Sequence, residues 1–158
     1  MPHINDKIDF TVEVFIVHNN KVLLRKHDKY KIWLGVGGHV ELDEDPTISA
    51  VREVSEEVGL DVRLYHNGEY PLLEGNDYRE LIPPAFMNRH RINPSHEHVT
   101  MVYLAASDTD NLVLSEEEKS DGCKWFSKEE LHDPQYGIRD HIRMYAEVAL
   151  QRLSSEKK

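Results

Sequence analysis

Residues 45–59 constrain this chain more than any other stretch, because they read as a helix with a marked start and a marked stop. Asp45 can cap the first free N–H groups, and Pro46 suits the first helical position. Gly59 suits the left-handed residue just past the last turn. Val51, Val54 and Val58 fall at i, i+3 and i+7, so they are expected to share a face that packs on a sheet. Glu53, Glu56 and Glu57 fall at i, i+3 and i+4, on an arc expected to point the other way.

That acidic arc is costly. Like charges four residues apart destabilise a helix by roughly 0.2–0.5 kcal/mol. Glu56 and Glu57 also sit where the helix dipole disfavours anions. Arg52, adjacent to Glu53 and four residues before Glu56, offsets part of this. A divalent cation would turn the clash into a coordination sphere, and hard oxygen ligands beside a phosphate are what Mg²⁺ prefers. The plainer alternative is a solvated acidic face without a ligand.

The spacing around the helix is more specific than its charge. Gly38, Glu44, Arg52, Glu53, Val54, Glu56, Glu57, Gly59 and Leu60 fit G-x5-E-x7-R-E-U-x-E-E-x-G-U at every fixed position, U being aliphatic. This resembles the Nudix box, and the flanks extend the resemblance to most of the chain. It implies an α/β (α+β) fold, an α/β/α sandwich with a mixed sheet. The box helix would lie on one face and the C-terminal helix on the other, within a single domain over residues 1–158. It also implies Mg²⁺, with Mn²⁺ as substitute, held by Glu53, Glu56, Glu57 and the Gly37 carbonyl. Arg52 would orient Glu53, and Glu53 or Glu56 would assist as base. Glu44 and Gly59 would be structural. Val36 stands where a proline more often precedes the two glycines.

Composition bounds the function. The chain has 158 residues, 30% of them charged, with a formal net charge of −10. An acidic balance argues against DNA or RNA as a generic partner. No apolar run is long enough to span a membrane. Cys123 is the one cysteine, which excludes an intrachain disulfide. With no signal-peptide pattern at the N-terminus, a reducing cytoplasm is the expected compartment.

Elsewhere, residues 8–17 alternate as a half-buried strand, with Phe10, Val12, Val14 and Ile16 against Thr11, Glu13 and Phe15. Asn19-Asn20 turns it into a second strand, Val22 to Arg25. Ile32-Trp33-Leu34 is apolar and leads into Gly35-Val36-Gly37-Gly38, where Gly37 and Gly38 let backbone approach a ligand. His39 is either a solvated loop residue or a phosphate contact. Leu60 to Tyr65 is a strand, and residues 66–95 read as a long loop. Tyr78 lies where some Nudix subfamilies that act on dinucleoside polyphosphates carry a tyrosine.

His96 and His98 share one face of a strand that continues to Ala105, with Glu97 on the other. The two imidazoles suit either a metal or plain hydrogen bonds, and Glu97 is a candidate substrate contact. Gly38, Glu118 and Asp121 are further candidates for substrate binding, with Glu117 beside them. Ser127 and Glu130 form a capping box. Ile138, Ile142, Tyr145, Ala149 and Leu153 stripe a final helix over residues 137–153, ahead of a frayed tail.

The expected activity is hydrolysis of a diphosphate bond in a nucleoside diphosphate linked to another group, a nucleoside triphosphate first among them. A non-catalytic nucleotide-binding module is one alternative. Action on dinucleoside polyphosphates, nucleotide sugars or RNA 5′ ends is another. A homodimer is compatible with all of these.

Overall fold

A computed structural model describes residues 3–114 and 120–154, with the backbone alone described for Ser120 and Asp121. The described elements follow in the order β1 (Ile8–His18), β2 (Lys21–His27), β3 (Trp33–Leu34), β4 (Val36–His39), α1 (Pro46–Val58), β5 (Val62–Leu64), β6 (Phe86–Asn93), β7 (His96–Ser107), β8 (Ser120–Phe126), α2 (Lys128–Leu131), a 3₁₀ turn (Pro134–Tyr136) and α3 (Asp140–Ser154). Among the described residues no helix is long and apolar enough to cross a membrane.

β1 is the spine of one mixed sheet. β7 runs parallel to it, from Ile8 opposite Glu97 to Val17 opposite Ala106. Its other edge is shared. β4 pairs antiparallel with Thr11–Val14, and β2 pairs antiparallel with Ile16–His18. β3 and β8 flank β2, while β5 and β6 pair with β7.

Both faces of this sheet are covered, as the α/β/α expectation requires. Val12, Val14, Ile16, Val36 and Tyr103 pack under Ala50, Val54 and Val58 of α1. Phe15, Val17, Val102, Leu104 and Phe126 pack under Ile142, Tyr145, Ala149 and Leu153 of α3. Burying each such valine or leucine contributes roughly 1.5–3 kcal/mol. β1 is therefore not the half-buried strand its alternation suggests. A central strand with helices over both faces buries both sets of side chains. Phe15 is fully buried, whereas Phe10, near the open end, is half exposed.

The local punctuation of α1 is as read. Asp45 Oδ1 accepts from the amides of Thr47 at 2.8 Å and Ile48 at 3.0 Å. Gly59 sits at φ 69° and donates to the Ser55 carbonyl at 3.0 Å. The buried stripe is rotated from the expected one. It runs through Ala50, Val54 and Val58, at i, i+4 and i+8, and Val51 is exposed. Glu53 and Glu57, each one residue before a stripe valine, are thereby carried inward and buried instead of pointing away. Glu56 stays on the outside.

Part of the region read as a loop is ordered sheet. β6 turns through Pro94-Ser95 into β7, and the Ser95 amide donates to Asn93 Oδ1 at 3.0 Å. Residues 65–85 remain irregular apart from a small turn closed by Gly75 and Tyr78. Asn19 and Asn20 take positive φ in the β1–β2 turn, and the Ser127–Glu130 capping box is formed. The last helix starts at Asp140, later than its apolar stripe suggests, and the tail after Ser154 lies outside the described residues.

Candidate active site

The two glycines of β4 hold the entrance to α1. A Cβ on Gly37 would fall 1.9 Å from the Val12 carbonyl oxygen, so only glycine lets β4 lie this close to β1. A Cβ on Gly38 would fall 2.3 Å from Glu53 Oε1. The Glu53 carboxylate thus lies flat on the Gly38 backbone, in space that any side chain at position 38 would take.

Arg52 ties this corner together. Its Nε and Nη2 donate to Glu44 at 2.6 and 2.8 Å, a forked pairing suited to a planar guanidinium. Nη2 also donates to the His39 carbonyl at 3.1 Å. Nη1 is shared between Glu53 Oε1 and Glu56 Oε2, each at 3.1 Å. The hydrogen bonds from Arg52 draw the Glu44 carboxyl down to about 2, against its partial burial, and Ser49 Oγ adds a further bond at 2.9 Å. Glu44 therefore holds the loop before the helix to the middle of the helix.

Glu57 turns the other way. Its Oε2 lies 3.1 Å from Arg25 Nε on β2, and both side chains are largely shielded. No sequence signal marks Arg25, since one arginine in an alternating strand reads as a surface residue. The helix carboxylates are thus all engaged with arginines, and the box set does not converge on a point. Four carboxylates (Glu44, Glu53, Glu56 and Glu57) face two guanidiniums, which leaves a surplus of two negative charges. An all-oxygen donor set with that surplus fits one hard divalent cation.

The remaining candidates are dispersed. Glu97 accepts from Arg89 at 3.0 and 2.8 Å on the β6–β7 hairpin. Glu117, Glu118 and the side chain of Asp121 lie outside the described residues. Tyr78 is exposed and bonds its neighbour Glu80, while Arg79 reaches Asp45 at 3.1 Å. Cys123 is partly buried in β8.

His39 is buried, not a solvated loop residue, and points at Asp9. His96 and His98 lie at the same end of the sheet. Burial lowers His39, and lowers His98 further, to about 4. Asp9 is held at about 2, since the amides of Asn5 and Ile4 outweigh its burial.

The sandwich and its glycine-fronted acidic helix define the class. The sequence matches the NUDIX domain family over residues 8–148, and the chain belongs to that family. It is 35% identical to a NUDIX-family hydrolase from Clostridium perfringens, with a TM-score of 0.80 over 92% of this chain and 97% of that one. A MutT NUDIX hydrolase from Burkholderia pseudomallei is 20% identical, with a TM-score of 0.63 over 94% and 99%. A NUDIX hydrolase from Nitrosomonas europaea is 17% identical, with a TM-score of 0.62 over 92% and 90%. No curated protein matches the chain. The protein is an enzyme of the Nudix hydrolase type. Nudix hydrolases generally use a divalent metal and act on small-molecule nucleotides.

Proposed function

We propose that residues 1–158 act as one unit that hydrolyses a diphosphate bond in a nucleoside diphosphate linked to another group, a nucleoside triphosphate first among the substrates. The observation that carries this reading is the Arg52 hub. It gathers Glu44, Glu53, Glu56 and the His39 carbonyl immediately behind the Gly37-Gly38 backbone. With one cysteine and no long apolar helix among the described residues, a reducing cytoplasm is the natural setting.

Glu53, Glu56 and Glu57, with the Gly37 carbonyl, would hold Mg²⁺. When bound, Mg²⁺ supplies charge neutralisation for the diphosphate and lowers the pKa of a water. Arg52 fixes the orientation of Glu53 and Glu56 through one shared nitrogen. Glu53 or Glu56 takes the proton of the attacking water. Arg25 holds Glu57 from the sheet side. Gly37 and Gly38 let the diphosphate approach backbone without meeting a Cβ.

The test is release of phosphate, pyrophosphate or nucleoside monophosphate from a panel of nucleoside diphosphate derivatives with Mg²⁺, using the native protein and Glu57→Gln. Turnover of one substrate class, with most of the rate lost in the variant, is the expected result. No turnover with Mg²⁺ or Mn²⁺ on any member of the panel overturns the reading.

A further inference from the structure

At the open end of the sheet, three chain segments bring imidazoles around one buried carboxylate carried by a fourth. Asp9 opens the buried part of β1, and His96 and His98 open β7. His3 comes from the segment before β1, and His39 ends β4. Asp9 Oδ2 lies 3.4 Å from His3 Nδ1, 3.4 Å from His96 Nε2 and 3.0 Å from His39 Nε2. One ligand atom each from His3, Asp9, His96 and His98 lies within 4.8 Å of all the others, and no other such set of three or more occurs among the described residues.

The hydrogen bonds of this cluster leave ring nitrogens pointing into its middle. His96 Nδ1 lies 3.1 Å from the Asp6 carbonyl oxygen. A carbonyl only accepts, so Nδ1 carries a hydrogen, and in the neutral ring Nε2 is then the acceptor nitrogen that a metal ion would take. That nitrogen lies beside the Asp9 carboxylate, at 3.4 Å from Oδ2. His96 is 3% exposed, and its Nε2 makes no hydrogen bond; the same holds for the buried Nε2 of His98. Proteins orient a metal-ligating histidine by this kind of hydrogen bond, from its other ring nitrogen to a backbone carbonyl. Asp9 is oriented as firmly. Its Oδ1 accepts from the Asn5 amide at 2.6 Å and from Asn5 Nδ2 at 3.1 Å, and its Oδ2 accepts from the Ile4 amide at 3.0 Å.

Two edges of the cluster have the dimensions of a first-row metal centre. A tetrahedral centre with bonds of about 2.0–2.1 Å has ligand atoms about 3.3 Å apart. The separations of 3.4 Å from Asp9 to His3 and to His96 match that edge. Three imidazoles and one carboxylate suit zinc and its first-row neighbours, not Mg²⁺, which wants oxygen throughout.

We propose that His3, Asp9, His96 and His98 form a second metal site, for a zinc-class divalent cation, separate from the acidic site on α1. His39 lies against Asp9 as its outer partner. The site clips the segment before β1 to the start of β7. Through His39 it also reaches the loop whose carbonyl Arg52 holds. The proposal does not depend on the substrate assigned above.

The test uses the full chain, stripped with a chelator, dialysed and titrated with Co²⁺ alone, without nucleotide. One equivalent should bind with the strong visible bands of tetrahedral cobalt, be displaced by Zn²⁺, and survive a large excess of Mg²⁺. His98→Gln and the partly exposed His3→Gln should each weaken binding by roughly 100-fold or more, beyond the 10–100-fold usual for an outer-shell partner. Because His3 is partly exposed, its substitution leaves the fold intact by far-UV circular dichroism, so loss there reads the site itself. The double variant Glu56→Gln/Glu57→Gln should bind Co²⁺ as the native chain does. Absence of the tetrahedral spectrum in the native chain overturns the proposal. So does binding that survives His3→Gln and His98→Gln but is lost in the box variant.

Discussion

Arg52→Gln would test whether the corner behind the glycines is held by charge. The guanidinium keeps Glu44 at about 2 in the folded protein, against an ordinary 4.5. At roughly 1.4 kcal/mol per pH unit, that difference stabilises the fold by about 3 kcal/mol at neutral pH. The pair is mostly shielded, with side-chain exposures of 26% for Arg52 and 10% for Glu44, so solvent screening removes only part of this. The sign follows from the lowered value. The stabilisation is fully present above about pH 4.5 and is lost as pH falls through about 2. By pH 3.5 it should have dropped to about 2 kcal/mol. Urea unfolding of the native and variant proteins at pH 7 and pH 3.5 measures both differences. Arg52→Lys should fall between them, since an ammonium cannot make the fork to Glu44. An equal loss at both pH values would refute the reasoning and reduce Arg52 to a packing residue.

Gly38→Ala should cut turnover by roughly 100-fold with little change in melting temperature, because the new Cβ displaces the Glu53 carboxylate from 2.3 Å away and nothing in the core; steady-state kinetics beside thermal melts check it. Gly59→Ala should lower stability by ~1–2 kcal/mol, since position 59 is left-handed and a Cβ there meets Val113 Cβ at 2.7 Å; thermal melts measure it. Burial raises Glu13 to about 7 despite the Gly35 amide on its carboxylate, so its charge costs stability progressively as pH rises from 4.5 to 7. Glu13→Gln should therefore be more stable than the native chain by ~1–2 kcal/mol at pH 8 and nearly equal at pH 4.5, read from unfolding midpoints at the two values.

What the sequence made legible is what is local. The Asp45 cap, the Gly59 stop and the Ser127–Glu130 box depend on residues within one turn of each other, and they appear where expected. The Glu44–Arg52 tie is not among those expectations, although both residues belong to the box. The tilt of α1 on the sheet was not legible. Choosing Ala50 over Val51 for the buried stripe is a matter of how the helix packs, and that choice alone buries Glu53 and Glu57. β6 hid behind Asn88, Arg89, His90 and Arg91, because a strand exposed along much of its length carries no apolar alternation. The pairing of Arg25 with Glu57 and the meeting of His3, Asp9 and His39 with His96 and His98 join residues from distant parts of the chain. No spacing rule connects them.

The pairing of β1 with β7 also sets an order of events. Thr11 and Thr100 share a hydrogen bond across 89 positions of sequence, and parallel partners that far apart close slowly. On the ribosome, β1 emerges well before β7, with its apolar run Val12 to Val17 and the edge meant for β7 both bare. β2 and β4 cover only the opposite edge. Until residue 106 has been made, the stretch that supports the glycine pair is an open template for another chain. The interval in which this enzyme shows a bare sheet edge thus outlasts the making of its acidic helix.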